Sequence, residues 1–66
     1  MSIVKVIEVI SEGSSVEEAI KSAVQEAAKT VENIRQINVD YIEALVENNK
    51  VTKFRVNSKI SFEVKH

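Results

Sequence analysis

The sequence predicts an α+β fold of order β-α-β-β, with a three-stranded antiparallel sheet of order 1-3-2 packed on one helix. Three observations predict it: a run of β-branched residues at the start, a capped alanine-rich helix after it, and two long alternating segments joined by Asn48-Asn49. Residues 1–66 form a single domain, since 66 residues leave no room for a second.

Ile3 to Ile10, IVKVIEVI, is dense in β-branched residues and bounded by Ser11-Glu12-Gly13, which marks a strand. Its apolar residues fall on both faces, Val4, Val6 and Ile10 on one and Ile3, Ile7 and Val9 on the other. One helix covers one face of a small sheet, so the second face calls for another subunit. Ser14-Ser15-Val16-Glu17-Glu18 is a helix start, in which Ser15 and Glu18 have the spacing of a capping box and Glu17 and Glu18 complement the positive end of the helix dipole. Val16, Ala19, Ile20, Ala23, Val24, Ala27 and Val31 then recur at helical spacing, a narrow stripe suited to close packing on a sheet. Lys21, Gln25, Glu26 and Lys29 take the wet side.

Two strands follow, from about Ile34 to Val46 and from about Val51 to Lys65. Glu47-Asn48-Asn49-Lys50 is the turn between them, because asparagine tolerates positive φ. A two-residue loop at Asn48-Asn49 places Gln36 opposite Ser61, Asp40 opposite Asn57 and Ile42 opposite Arg55. In that register Ile37, Val39, Tyr41 and Leu45 share the core face with Phe54, Val56, Ile60 and Phe62. Gln36, Asn38, Asp40, Ile42 and Ala44 share the other with Lys53, Arg55, Asn57, Lys59, Ser61 and Glu63. The first strand runs parallel to the second without touching it, and the third lies between them.

The 44% hydrophobic and 29% charged content is that of an ordinary foldable chain, but one this short buries little surface and commonly needs a disulfide, a metal or self-association. With no cysteine and a single histidine at the last position, His66, the third support is the one these residues leave open. A formal net charge of −1 with no basic cluster argues against a nucleic-acid partner. No apolar run has the length of a membrane span and no signal-peptide pattern precedes the first strand, so neither a membrane partner nor export is expected and a cytoplasmic location is.

Catalysis is not expected. Gly13 is the only glycine, so there is no phosphate-binding loop, and no Ser/His/Asp or Cys/His set exists. Glu17/Glu18 and Glu43/Glu47 are read as capping and surface carboxylates. On the polar sheet face Arg55 has the planar fork that grips a phosphate or carboxylate in two places.

The strand KVIEVI, the helix SSVEEAIKSAVQEAAKTVENI, the strand RQINV and the closing TKFRVNSKISFEV together resemble the dodecins. The most specific parts are Ser15 to Ala19, Lys29 to Ile34, and Phe54-Arg55-Val56 with Ser61 to Val64. The resemblance implies a β-α-β-β protein assembling with copies of itself as a hollow homododecamer, which is not an enzyme and binds or stores a small ligand or ion at subunit contacts. Flavin-binding dodecins stack the isoalloxazine ring on a tryptophan that opens the strand after the helix; the equivalent position is Gln36. Where their last strand carries Tyr-Gln, this chain has Phe54-Arg55. Loss of the tryptophan together with arginine at the later position resembles a calcium-associated branch. The resemblance thus implies Gln36, Arg55 and Asn38 as ligand-binding residues, Asp40 and Glu63 as oxygen ligands for a metal, and flavin or calcium as the bound species.

Overall fold

The computed structural model describes residues 2–65; His66, on which the argument against a histidine site rests, lies outside the described residues. The elements are β1 (Ile3–Gly13), α1 (Val16–Ala27), β2 (Ile34–Glu47) and β3 (Lys50–Val64). The sheet order is β1-β3-β2, with β3 antiparallel to both neighbours. This is the expected topology.

Local chemistry sets the ends of each element. Ser15 is the N-cap of α1, in extended backbone geometry, and its Oγ accepts from the Glu18 N–H at 3.0 Å. The Glu18 carboxylate accepts instead from the hydroxyl of Ser14, at 2.6 Å, so only the Ser15 half of the expected capping box forms. The helix stops at Ala27, short of Val31. Lys29 and Thr30 donate to carbonyls three residues back, which tightens the last turn. Asn33 then takes a positive φ of 61° and its carbonyl accepts from Glu63 N–H, fastening the start of β2 to the end of β3. Asn48 and Asn49 have φ values of 50° and 64°, the positive pair that a two-residue hairpin loop requires.

The core is small and sits between α1 and the two strands it covers most, β1 and β3. Ala19 and Ala23 present the helix to Val56 and Ile60, and all four are buried. Alanine is what lets the helix come this close. Fully burying Val56 and Ile60 contributes roughly 1.5–3 kcal/mol each. Ser58 lies between them on the same strand face and is also buried; its hydroxyl donates to the Val9 carbonyl at 3.3 Å. Ser11 on β1 likewise donates to Ala19 O at 2.7 Å, pinning the helix to the sheet.

The register bears out part of the expectation and corrects part. Gln36 does pair with Ser61, Ile37 with Ile60, Asn38 with Lys59 and Val39 with Ser58. The pairs next to the turn, Glu47 with Lys50 and Val46 with Val51, are also as expected. Thr52 is skipped in β3 and Asp40 in β2, however, and between these two shifts Tyr41 pairs with Asn57, Ile42 with Val56 and Glu43 with Arg55. Asp40 is therefore not opposite Asn57, nor Ile42 opposite Arg55. A one-residue shift exchanges faces: Tyr41 and Leu45 move to the face away from the helix, and Ile42 and Ala44 turn to the helix side. On β1 the helix takes Ile7, Val9 and Ser11, and Val4, Val6 and Ile10 are left exposed on the opposite face.

The molecule measures 51 × 20 × 13 Å. Twelve helical residues span about 18 Å whereas fifteen strand residues span about 50 Å. The hairpin consequently overhangs the helix, and Ile42, Val46 and Val51 are more than half exposed along the overhang.

Candidate functional site

The sheet face away from α1 carries every residue singled out by the sequence. Pairing with Ser61 and Lys59 puts Gln36 and Asn38 on it, near the start of β2. Arg55 faces the same way near the hairpin end of β3, next to Glu12 and Glu43 on the flanking strands. Ser61 and Arg55 are six positions apart on β3, so Gln36 and Arg55 stand about 20 Å from each other. Within one chain they share a face but no site.

Asp40, the inserted residue of the bulge, accepts from Asn38 Nδ2 at 2.9 Å and pairs with Lys59 Nζ at 3.2 Å. The hydrogen bond to Asp40, with its charge, raises the Lys59 pKa. Glu63 pairs with Arg35 at 3.1 Å and lies 3.7 Å from Lys65 Nζ. Lys59, which holds Asp40, and Glu63 are four positions apart on β3, about 13 Å along the strand. Among the described residues no three His, Cys, Asp or Glu side chains are placed to hold a metal ion.

The Arg55 fork is occupied. Its Nε donates to Glu12 Oε2 at 2.9 Å with Nη2 2.8 Å from the same oxygen, and Lys53 Nζ lies 2.9 Å from Glu12 Oε1. Hydrogen bonds from Lys53 and then Arg55 hold the Glu12 carboxyl below the usual carboxylate range. Glu12 and Lys53 were not among the candidates from sequence. Lys53, two residues before Arg55 on an alternating strand, carried a signal; Glu12 had none until β1 was paired with β3.

Near the bulge a shallow hollow of about 200 Å³ is walled by Glu8, Ile10, Asp40, Tyr41 and Asn57. Pockets for drug-sized ligands run from roughly 300 to 1,000 Å³. A depression of about 420 Å³ opens where Asn33 and Glu63 meet. Gln36 and Arg55 line neither.

A family model described as Dodecin matches residues 3–65. The chain belongs to the dodecin family. Dodecins are small, oligomeric, ligand-binding proteins, and the match runs the length of the β-α-β-β unit. Among solved structures, an arginine-to-alanine variant of the dodecin of T. thermophilus is 21% identical, with all of both chains covered and a TM-score of 0.93. The dodecin of Streptomyces davaonensis is 17% identical over 98% of this chain and 97% of its own, at a TM-score of 0.91. The dodecin of Streptomyces coelicolor is 23% identical over 98% and 94%, also at 0.91. At such identities the likeness is one of fold. No curated protein sequence matches significantly. No helix among the described residues is long and apolar enough to cross a membrane.

Proposed function

We propose that the protein is a non-enzymatic dodecin-type shell, a homododecamer that binds or stores a small ligand or ion where its subunits meet. The observation that carries this reading is the uncovered sheet face. Val4, Val6, Ile10 and Tyr41 stand 58%, 53%, 66% and 70% exposed there in a single chain, interleaved with the polar residues of the candidate site. Apolar exposure on this scale in so small a domain marks a contact surface. The spacing of Gln36 and Arg55 agrees with it: a ligand touching both must lie between copies of the chain.

Gln36, Asn38 and Arg55 supply amide and guanidinium groups for such a ligand. Asp40, Glu63 and the Asn38 carbonyl supply oxygens for a calcium ion, which takes about six to eight of them and so needs carboxylates from several copies around a symmetry axis. Family membership favours flavin as a second reading. An amide at Gln36 offers no π surface, and stacking on an aromatic ring is worth about 0.5–1.5 kcal/mol beyond the area buried. Flavin is therefore the weaker of the two proposals.

Sedimentation of the purified chain tests the assembly: a mass near twelve times the 7.4 kDa chain supports it, and a monomer at micromolar concentration defeats it. Riboflavin titration read by quenching, with calcium analysis and melting before and after chelation, separates the ligands. Gln36→Trp is expected to raise flavin affinity about tenfold with assembly intact; no gain would mean that other groups set the site.

A further inference from the structure

Arg55 is the best anion-recognising group on the polar sheet face, and a carboxylate of the same chain already fills its fork. Nε and Nη2 of Arg55 both lie against one oxygen of Glu12, Nε donating to it, while Lys53 meets the other, all at 2.8 to 2.9 Å. Lys53 and Arg55 are alternate residues of β3, so their side chains rise side by side on one face. Glu12 comes to them from β1, directly opposite Arg55. On the other flank Glu43 lies opposite Arg55, its carboxylate accepting from Asn57 Nδ2 at 3.0 Å. Two cations and two carboxylates thus balance, and all three members of the Glu12 cluster remain partly open to solvent.

We infer that Lys53 and Arg55 form a phosphate-binding site whose resident carboxylate, Glu12, is displaced when a phosphate group enters. The inference rests on the proposed reading that this face meets a ligand, and it names the ligand's chemistry. A phosphate presents three oxygens and up to two charges where Glu12 presents two oxygens and one charge. It satisfies the arginine fork in two places and still reaches the lysine. Displacement needs no backbone change, because β1 is an edge strand and the Glu12 side chain rotates out into water. With Glu12 in place, weak monoanions compete against an intramolecular carboxylate and lose. Glu12 therefore sets selectivity for phosphate over small carboxylates.

The test is calorimetric titration of the full chain with inorganic phosphate and with phenyl phosphate, at low ionic strength. Glu12→Gln is expected to bind phosphate about tenfold tighter than the unsubstituted chain. The gain is expected to vanish when Arg55→Gln is added, and acetate is expected to gain more than phosphate, because the competitor that excluded it is gone. Tighter binding of phenyl phosphate than of phosphate identifies a phosphomonoester as the natural source; equal binding identifies the free ion. No gain in Glu12→Gln, or a gain that survives Arg55→Gln, overturns the inference. Should Glu12→Gln fail to fold, the unsubstituted chain carries the test. Saturating phosphate must then move the Glu12 side-chain carboxyl carbon resonance, and an unmoved resonance overturns the inference. A monomeric chain whose Glu12→Gln form gains phosphate affinity overturns the shell and supports this site; an assembled one without the gain does the reverse.

Discussion

At the scale of single residues, Gly13 shows how little space separates β1 from α1. A Cβ at this position would lie 2.8 Å from Ala19 N and 3.2 Å from both Ala19 Cα and Ser15 O. These are backbone atoms of the helix and its cap, so none can swing aside. Gly13→Ala is expected to cost about 1–3 kcal/mol through displacement of the helix, read as a lower urea midpoint with an unchanged slope. Two charges away from the core make a different prediction. Because Lys53 and Arg55 hold the Glu12 carboxyl low in the folded chain, the unfolded chain takes up that proton first as pH falls. The stabilisation is complete above the ordinary glutamate range and is lost as pH drops through that range toward the lower folded value. Glu12→Gln is accordingly expected to lose less stability than the unsubstituted chain between about pH 7 and about pH 3; equal losses in two urea series would dissociate Glu12 from the acid limb.

At the scale of elements, the helix start and the hairpin turn each depend on one side chain. Ser15→Ala removes the acceptor for the Glu18 N–H and is expected to lower stability by about 1 kcal/mol, measured by thermal unfolding. Asn49 sits at a φ of 64°, where a β-branched side chain meets its own carbonyl. Asn49→Val is expected to cost about 1–2 kcal/mol, and Asn49→Gly to cost nothing. Both features were legible in the sequence because caps and turns are chemistry between near neighbours. The bulge at Asp40 was not. Tyr41 and Ile42 are adjacent and both apolar, so the alternation fits either phase beyond Asp40, and only the pairing with Asn57 and Val56 chooses between them. Glu12 was hidden for a related reason. Its neighbours in sequence mark the end of a strand, and its partners, Lys53 and Arg55, lie more than forty residues away.

At the scale of the whole molecule, the described residues form an elongated plate with a four-residue apolar core among them and apolar side chains exposed on both sheet faces. Ile10 is 66% exposed and contributes nothing to the core of a single chain. Ile10→Asp is expected to leave the secondary structure intact by circular dichroism while weakening assembly by more than about tenfold, since a carboxylate would enter a desolvated contact. An unchanged sedimentation profile would remove this face from the interface. By itself the sequence determined the element order, the cap, the hairpin turn and the polar identity of Gln36 and Asn38, all of which follow from local propensity and short-period patterning. The tertiary structure alone decided that Tyr41 and Ile42 exchange faces, that Gln36 and Arg55 stand about 20 Å apart, and that Glu12 fills the arginine's fork. Those facts depend on which residues of distant strands come level with one another. That is fixed by the residues inserted at the register shifts, Asp40 in β2 and Thr52 in β3, and by long-range pairing, which no local pattern encodes.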